Sequence, residues 1–142
     1  MSVTYVSAEL RRLVVERASA RCEYCLISEE ATYYGCAVDH VIGEKHGGPT
    51  ESDNLAFACA FCNRAKGSDI GSMHWATGEF TRLFNPRVDR WADHFALIDN
   101  WIAGLTPIGE VTVRLLGFNR INRLSERLKL QKAKRYPKIL GS

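Results

Sequence analysis

The fold is decided by the stretch from Cys22 to Gly67, which reads CEYCLISEEATYYGCAVDHVIGEKHGGPTESDNLAFACAFCNRAKG. Two cysteine pairs, each with a two-residue spacer, lie near its ends: Cys22 with Cys25, and Cys59 with Cys62. Asp-His, Gly-Gly and Asn residues follow between the pairs and directly after the second pair. The cysteines are typical of a structural metal site. The other residues are typical of a hydrolytic centre, and a protein that only binds a structural metal does not need them.

The four paired cysteines can supply the thiolates of one tetrahedral zinc ion. A two-residue spacer lets both sulfurs of a pair face one ion, because the Zn–S distance of roughly 2.3 Å leaves little freedom. A redox dithiol and cysteines used as small core residues are the alternatives. A redox pair, however, is expected beside a βαβ pattern and needs no second pair. The fifth cysteine, Cys36, lies in an apolar run and is predicted to be a buried core thiol.

Length and charge favour a compact intracellular protein. The 142 residues suit a single domain, which we predict to cover residues 1–142. The net charge of +3 and the pI of about 8.7 favour a nucleic-acid partner only weakly. No apolar run approaches the roughly 20 residues that span a bilayer, and no secretory signal is recognisable. We therefore expect no membrane partner and a cytoplasmic, reducing location, in which zinc rather than a disulfide holds paired cysteines.

Hydrophobic periodicity places these residues on a short series of elements. Ser7 is expected to cap a helix reaching about residue 20, whose packed face is formed by Leu10, Leu13, Val14 and Ala18. Next we predict a strand or hairpin within residues 31–42 and a Gly-rich loop over residues 43–53. A second helix is predicted to begin at Ser52 or Asp53, run to about Lys66 and stop at Gly67.

The second half of the chain is less clearly patterned. Residues 68–90 are predicted to be irregular, because glycines and a proline interrupt them. The remaining predictions are a strand over residues 91–101, a helix that starts at Thr106-Pro107 and ends near residue 116, and a last helix from about Asn119 to Tyr136.

The order and spacing of the polar residues resemble the HNH endonuclease motif. The matching residues are Asp39-His40, Gly47-Gly48, Asn54-Leu55, Cys59, Cys62-Asn63 and Lys66-Gly67. The variant that the chain resembles carries two zinc knuckles and an asparagine at the last motif position, an H-N-N pattern. The resemblance covers roughly residues 20–70. It implies an α+β fold with a ββα-metal core at about residues 8–70, an N-terminal helix, and a C-terminal extension of strand and helices over about residues 71–142.

The resemblance implies a hydrolytic role for three residues. His40 is the candidate general base, since an imidazole titrates near neutral pH. Asp39 and Asn63 are the candidate ligands of a catalytic cation. A carboxylate and an amide carbonyl are both oxygen donors, which suit Mg²⁺ or Mn²⁺.

Three further residues surround this candidate centre. By resemblance, Asn54 is expected to hold the Gly-rich loop in place by hydrogen bonds, and it is counted among the catalytic residues. Lys66, three residues after Asn63, shares its helix face and is a candidate phosphate contact, the alternative being a solvated helix-end lysine. His46 lies in the loop, where a role in loop structure is favoured over catalysis.

A basic segment near the C-terminus carries a second functional signal. From Arg120 to Lys138 the only acidic residue is Glu126. The residues expected along one basic helix face are Arg120, Arg123, Arg127 and Lys134. Such a face suits the phosphate backbone and implies salt-sensitive, weakly specific binding of nucleic acid. The alternative is a solvated helix at the end of a domain.

Together these patterns predict a metal-dependent HNH endonuclease that hydrolyses phosphodiester bonds in DNA, expected to be double-stranded. Four cysteines hold structural Zn²⁺, and Mg²⁺ or Mn²⁺ is the catalytic cation. The main alternative is a non-catalytic zinc-knuckle module that binds nucleic acid. A zinc-stapled scaffold that binds protein is a third interpretation. The sequence implies no particular oligomeric state or cleavage sequence.

Overall fold

The structure, a computed structural model, describes residues 5–137 of the chain. The described part contains the helices α1 (Ala8–Arg17), α2 (Ala60–Lys66), α3 (Trp91–His94), α4 (Pro107–Leu115) and α5 (Ile121–Lys132). Its strands are β1 (Cys36–His40), β2 (Leu55–Cys59), β3 (Gly71–His74), β4 (Glu79–Arg82), β5 (Phe95–Ile98) and β6 (Trp101–Gly104). Strand β1 pairs with β2, β3 with β4, and β5 with β6, and each pair is a separate two-stranded antiparallel sheet. None of the helices in this range is both long and apolar enough to cross a bilayer.

The first sheet and the helix after it form the ββα unit. Strand β1 pairs with β2 so that Asp39 lies opposite Ala56 and His40 opposite Leu55, and α2 follows β2 without a break. The predicted α+β fold, with this core and a four-cysteine site, is confirmed. The strand predicted within residues 31–42 is confined to β1, because residues 29–31 form a short 3₁₀ turn.

The helix predicted from Ser52 or Asp53 is wrong over residues 55–59, which form β2. All five residues of β2 are buried. Helix α1 covers the face with Leu55 and Phe57, and the main hydrophobic cluster of the protein covers the opposite face. Such a continuous apolar run has no period-2 alternation and resembles a buried helix in sequence. Helix α2 begins only at Ala60, where the sulfur of Cys59 accepts a hydrogen bond from the Cys62 N–H. The predicted stop at Gly67 is confirmed, and its φ of 52° is a conformation that favours glycine.

Helix α1 starts as predicted, since the Ser7 hydroxyl accepts a hydrogen bond from the Leu10 N–H. It ends at Arg17 rather than near residue 20, because Ser19 and Ala20 both adopt positive φ. Val14 is fully buried against Leu55 and Phe57. Leu13, predicted on the packed face, is exposed instead.

The C-terminal extension contains more strand than predicted. Residues 68–90 are not irregular throughout, since they include the β3–β4 hairpin. The single strand predicted over residues 91–101 is wrong: α3 occupies its start, and β5 then turns back at Asp99, whose φ is 56°, into β6. Helix α4 begins at Pro107 as predicted, capped by the Thr106 hydroxyl. Helix α5 ends at Lys132, short of the predicted Tyr136.

One hydrophobic cluster contains residues from both the ββα unit and the extension. Tyr24 and Cys22 belong to it together with Phe84, Phe95 and Phe118, all of them buried. Edge-to-face contacts join the Phe84 ring to the rings of Tyr24 and Phe95. The extension therefore packs directly on the segment that carries the first cysteine pair.

Candidate metal and catalytic site

The four paired cysteines meet at one buried point. Their sulfur atoms all lie within 4.8 Å of one another, and the four residues are Cys22, Cys25, Cys59 and Cys62. The Cys25 and Cys59 sulfurs are 3.7 Å apart. Four sulfurs at a Zn–S distance of roughly 2.3 Å form a tetrahedron with an edge of about 3.8 Å. The arrangement is therefore suited to a zinc ion.

Backbone geometry orients these sulfurs. In each pair the N–H of the second cysteine lies 3.4 Å from the sulfur of the first, from Cys25 to Cys22 and from Cys62 to Cys59. Cys36 is not part of the set. It is half-buried rather than fully buried as predicted, and burial raises the pKa of its thiol to about 12.

His40 lies at the end of β1 and is half-buried. Its Nε2 atom is 2.9 Å from the Thr50 hydroxyl. Thr50 lies ten residues farther on, in the Gly-rich loop between β1 and β2. A hydrogen bond at this atom fixes the orientation of the ring, and the hydroxyl can pair with either tautomer because it both donates and accepts. The sequence did not predict a role for Thr50, because a lone threonine in a loop gives no signal of what it contacts.

The Asn54 side chain, at the end of the Gly-rich loop, hydrogen-bonds to the residue before the loop and to a residue within it. Its amide oxygen accepts from the Ile42 N–H at 3.0 Å, and its amide nitrogen donates to the Ile42 and Pro49 carbonyls at 2.9 and 2.8 Å. Gly48 is required beside it, because a Cβ there would lie 1.7 Å from the Ile42 oxygen. His46, in the same loop, is exposed and lies 2.9 Å from the Ser68 carbonyl oxygen. These contacts dock the loop on the end of β1 and on the segment after α2.

Asp39, the neighbour of His40, is buried and held by two donors. Its Oδ2 atom is 3.1 Å from the Lys66 ammonium nitrogen, and the Tyr24 hydroxyl donates to the same oxygen at 3.2 Å. Lys66 also donates to the His40 carbonyl at 2.9 Å. Burial raises the pKa of Asp39, whereas the Lys66 charge and the two hydrogen bonds lower it.

Both sequence interpretations of Lys66 are wrong, since it is neither a phosphate contact nor a solvated lysine. Only 2% of the residue is exposed, because its stem runs inward from α2 and its ammonium group meets the Asp39 carboxylate. A side chain that is buried and paired in this way cannot meet an external phosphate. Its place is inside the candidate catalytic centre.

The two predicted cation ligands, Asp39 and Asn63, both offer oxygen atoms of the type that suits a hard divalent cation. A carboxylate offers about four lone-pair positions, and the protein donors to Asp39 are Tyr24 and Lys66. Asn63 lies on α2, one turn before Lys66, and is half-buried. A carboxylate and an amide are the ligand types that Mg²⁺ and Mn²⁺ prefer.

The predicted basic helix face is only partly present. Arg123 and Arg127 are 6% and 4% exposed, so the expectation that they meet nucleic acid is corrected. The guanidinium of Arg127 donates to the carbonyls of Asn100 and Phe118, and that of Arg123 reaches the cysteine sulfurs. Arg120 and Lys134 are exposed. Lys138, at the end of the basic segment, lies outside the described residues.

A groove between α2 and α5 offers a different basic surface. It has a volume of about 360 Å³, and its lining includes Arg64 and Arg120. Both arginines are exposed, and Arg64 directly follows Asn63. Arg64 was missed from the sequence, where its position after the motif asparagine was the available signal.

Residues 22–69 match the family model described as HNH endonuclease. The match confirms the resemblance drawn from the motif residues. It covers the ββα unit and all four clustered cysteines, so this segment is HNH-like in sequence and in architecture. The family match indicates a nuclease-type or nucleic-acid-related function. No curated protein and no solved structure matches the chain.

Proposed function

We propose that the protein is a metal-dependent HNH endonuclease, a hydrolase that cleaves phosphodiester bonds in DNA. The observation that carries the proposal is the adjacent pair at the end of β1. His40 is held at one ring nitrogen by Thr50, and the neighbouring Asp39 is buried beside α2. The pair lies within the segment that matches the HNH family.

In this proposal His40 is the general base. When Nε2–H donates to the Thr50 hydroxyl, the lone pair of Nδ1 is free to accept a proton from the attacking water. His40 is half-buried, so part of the residue remains open to solvent. Asn54 supports this arrangement indirectly, because it holds the loop that carries Thr50.

Asp39 and Asn63 would hold the catalytic cation, Mg²⁺ or Mn²⁺. Such an ion neutralises charge on the phosphate and on the leaving oxygen. Lys66 and Tyr24 orient the Asp39 carboxylate by charge and hydrogen bonding. The oxygen donors would then come from two elements, Asp39 from β1 and Asn63 from α2.

The zinc ion would be structural. Four buried thiols from two separate segments make one cross-link, and sites of this type contribute folding free energy outright. Because one hydrophobic cluster joins the ββα unit to the extension, we propose that residues 1–142 form a single domain. A cytoplasmic location is proposed with it, since reducing conditions keep such thiols available for zinc.

The DNA surface is proposed to include the groove between α2 and α5. Arg64 and Arg120 line it, and Arg64 is next to Asn63 in sequence. Lys134, also exposed, remains a candidate contact farther along the chain. Contacts of this kind with the phosphate backbone are insensitive to sequence. The double-stranded form is proposed as the substrate.

One observation favours the alternative, a non-catalytic zinc module that binds nucleic acid. The buried pair of Asp39 and Lys66 satisfies both charges without any cation. On that view the pair only fastens α2 to β1. The two functions make opposite predictions for cleavage, and they agree on DNA retention.

A plasmid assay separates the two functions. The zinc-loaded protein is incubated with supercoiled plasmid and a series of Mg²⁺ and Mn²⁺ concentrations. Nicking or linearisation should require the added cation and should fall by about 10²–10⁴-fold in His40→Ala, the range for loss of a positioned base. His46→Ala is the control for loss of an imidazole, since His46 is exposed and lies in the loop that follows His40. DNA retention without cleavage by the wild type would establish the binding module instead.

Asp39→Ala tests the proposed cation ligand. Cleavage should be lost because the cation is held less tightly, and raised Mg²⁺ or Mn²⁺ should recover part of it. The same increase should not recover His40→Ala, whose defect lies in proton transfer.

A further inference from the structure

Arg123 directs its guanidinium group at the cysteine cluster. Its Nη2 atom lies 3.1 Å from the Cys62 sulfur and 3.9 Å from the Cys59 sulfur. In residues 5–137 it is the one cationic side chain that hydrogen-bonds to a sulfur of this cluster. The residue is 6% exposed, so the contact is shielded from water.

The guanidinium is fixed from its other sides. Its Nη1 atom donates to the carbonyls of Leu116 and Gly117 at 2.8 and 3.3 Å. The rings of Phe61 and Phe118 both make cation–π contacts with the guanidinium, and each ring centroid lies 5.7 Å from the guanidinium carbon. A planar group held by carbonyls and aromatic rings has little freedom to leave the sulfurs.

A buried zinc tetrathiolate needs a compensating positive charge. Four thiolates and one Zn²⁺ carry a net charge of about −2, and burying uncompensated charge is costly. Partners beyond the direct ligands orient those ligands and tune the metal. Arg123 meets this need at the two sulfurs of the second cysteine pair, to which it is hydrogen-bonded.

We propose that Arg123 is a positioning residue of the zinc site, which it stabilises by neutralising charge on the Cys59 and Cys62 thiolates. The N–H···S bonds withdraw electron density from the sulfurs, so the thiolates react more slowly with electrophiles and release zinc more slowly. These bonds also connect α5 to the second cysteine pair. This inference rests on the zinc part of the proposed function and is independent of the nuclease part.

Arg127 offers a matched control on the same helix. It is as deeply buried as Arg123, and its guanidinium donates to the carbonyls of Asn100 and Phe118. Loss of Arg127 therefore removes a buried guanidinium and its carbonyl contacts but no bond to sulfur.

The experiment measures zinc release from the full-length zinc-loaded protein. Wild type, Arg123→Met, Arg123→Lys and Arg127→Met are treated with N-ethylmaleimide in the presence of a chromogenic zinc chelator. The temperature is one at which circular dichroism shows every variant folded. Zinc release should be about 10-fold or more faster in Arg123→Met, because loss of a residue that hydrogen-bonds a metal ligand typically lowers metal affinity by about 10–100-fold. Arg123→Lys should be intermediate, and Arg127→Met should stay near wild type.

A spectroscopic readout separates this role from a purely structural one. In the Co²⁺-substituted protein, loss of the N–H···S bonds raises the energy of the sulfur lone pairs. The sulfur-to-metal charge-transfer band should therefore move to longer wavelength in Arg123→Met and stay in place in Arg127→Met. If Arg123→Met does not fold, Arg123→Lys decides, because it keeps the charge but cannot reproduce the guanidinium contacts.

Wild-type release rates and an unmoved band in the folded Arg123 variants would overturn the inference. Equal acceleration in the Arg123 and Arg127 variants would do the same, since it would indicate general loosening. Absence of stoichiometric zinc in the wild type would contradict the zinc part of the proposed function instead. Absence of DNA cleavage by the wild-type protein would contradict only the nuclease part of the proposed function.

Discussion

The ammonium nitrogen of Lys66 lies 3.1 Å from Oδ2 of Asp39, and both residues are almost fully buried. One partner comes from β1 and the other from the last turn of α2. The contact therefore connects strand and helix of the ββα unit at the candidate catalytic centre. Since Lys66 also donates to the His40 carbonyl, it positions the backbone of the candidate base as well.

Lys66→Met should destabilise the protein strongly. It leaves Asp39 buried without its cationic partner, and breaking a buried pair in this way typically costs about 3–5 kcal/mol. Chemical denaturation of the zinc-loaded protein measures the loss. The exposed Lys129→Met is the control, and adding Asp39→Asn to Lys66→Met should recover part of the stability. An unchanged denaturation midpoint in Lys66→Met would show that the pair is not coupled to folding.

Thr50→Val should lower the cleavage rate without loss of folding or DNA affinity. The substitution keeps the shape of the side chain but removes the hydroxyl that contacts His40 Nε2. A misplaced catalytic group typically costs up to about 10²-fold. Thr50→Ser keeps the hydroxyl and should cut nearly as fast as wild type. Equal rates for the valine and serine variants would remove Thr50 from the mechanism.

Cys59→Ser should yield poorly folded protein rather than merely inactive protein. It removes one of four clustered thiols, and zinc sites of this type supply folding free energy. Cys36→Ser is the matched control, because Cys36 lies opposite Cys59 in the β1–β2 register but outside the cluster. Zinc content by mass spectrometry and a melting curve measure both variants. A Cys59→Ser variant with normal zinc content and melting temperature would contradict the structural zinc site.

Arg64→Gln and Arg120→Gln should weaken DNA binding for all sequences alike. Both residues line the groove between α2 and α5. Each lost phosphate contact should flatten the slope of log K against log salt by about 0.9 for duplex DNA. Arg12→Gln, an exposed residue of α1 that does not line the groove, is the control. Titrations by fluorescence anisotropy at several salt concentrations give the slopes, and slopes equal to the control would place the DNA elsewhere.

Asp89 should make stability depend on pH in the acid range. Hydrogen bonds from Arg82, at 2.8 and 2.9 Å, hold the pKa of Asp89 below its ordinary value. A carboxyl whose pKa is depressed on folding stabilises the protein above its unfolded pKa, about 3.9 for aspartate. That contribution is lost as the pH falls through the folded pKa. Wild type should therefore be more stable than Asp89→Asn at pH 7, and the difference should shrink below about pH 4. A difference in denaturation free energy that stays constant from pH 7 to pH 3 would contradict this assignment.

Much of the centre was readable from the sequence because it depends on local spacing. The two-residue spacers of the cysteine pairs predicted the cluster that the structure contains. The capping residues Ser7 and Thr106 marked the starts of α1 and α4, because a cap bonds to a backbone N–H only two or three residues away. The HNH resemblance followed from the same local order and is confirmed by the family match.

Only the tertiary structure decided what the long side chains and the buried run do. Residues 55–59 form a strand because α1 and the main core cover both faces, which a purely apolar run does not reveal. Lys66 and Arg123 both looked like surface cations in sequence. Their flexible stems instead carry the charges to a carboxylate and to thiolates from other segments. Whether such a group meets solvent or a buried partner depends on long-range packing, which sequence spacing on one helix does not encode.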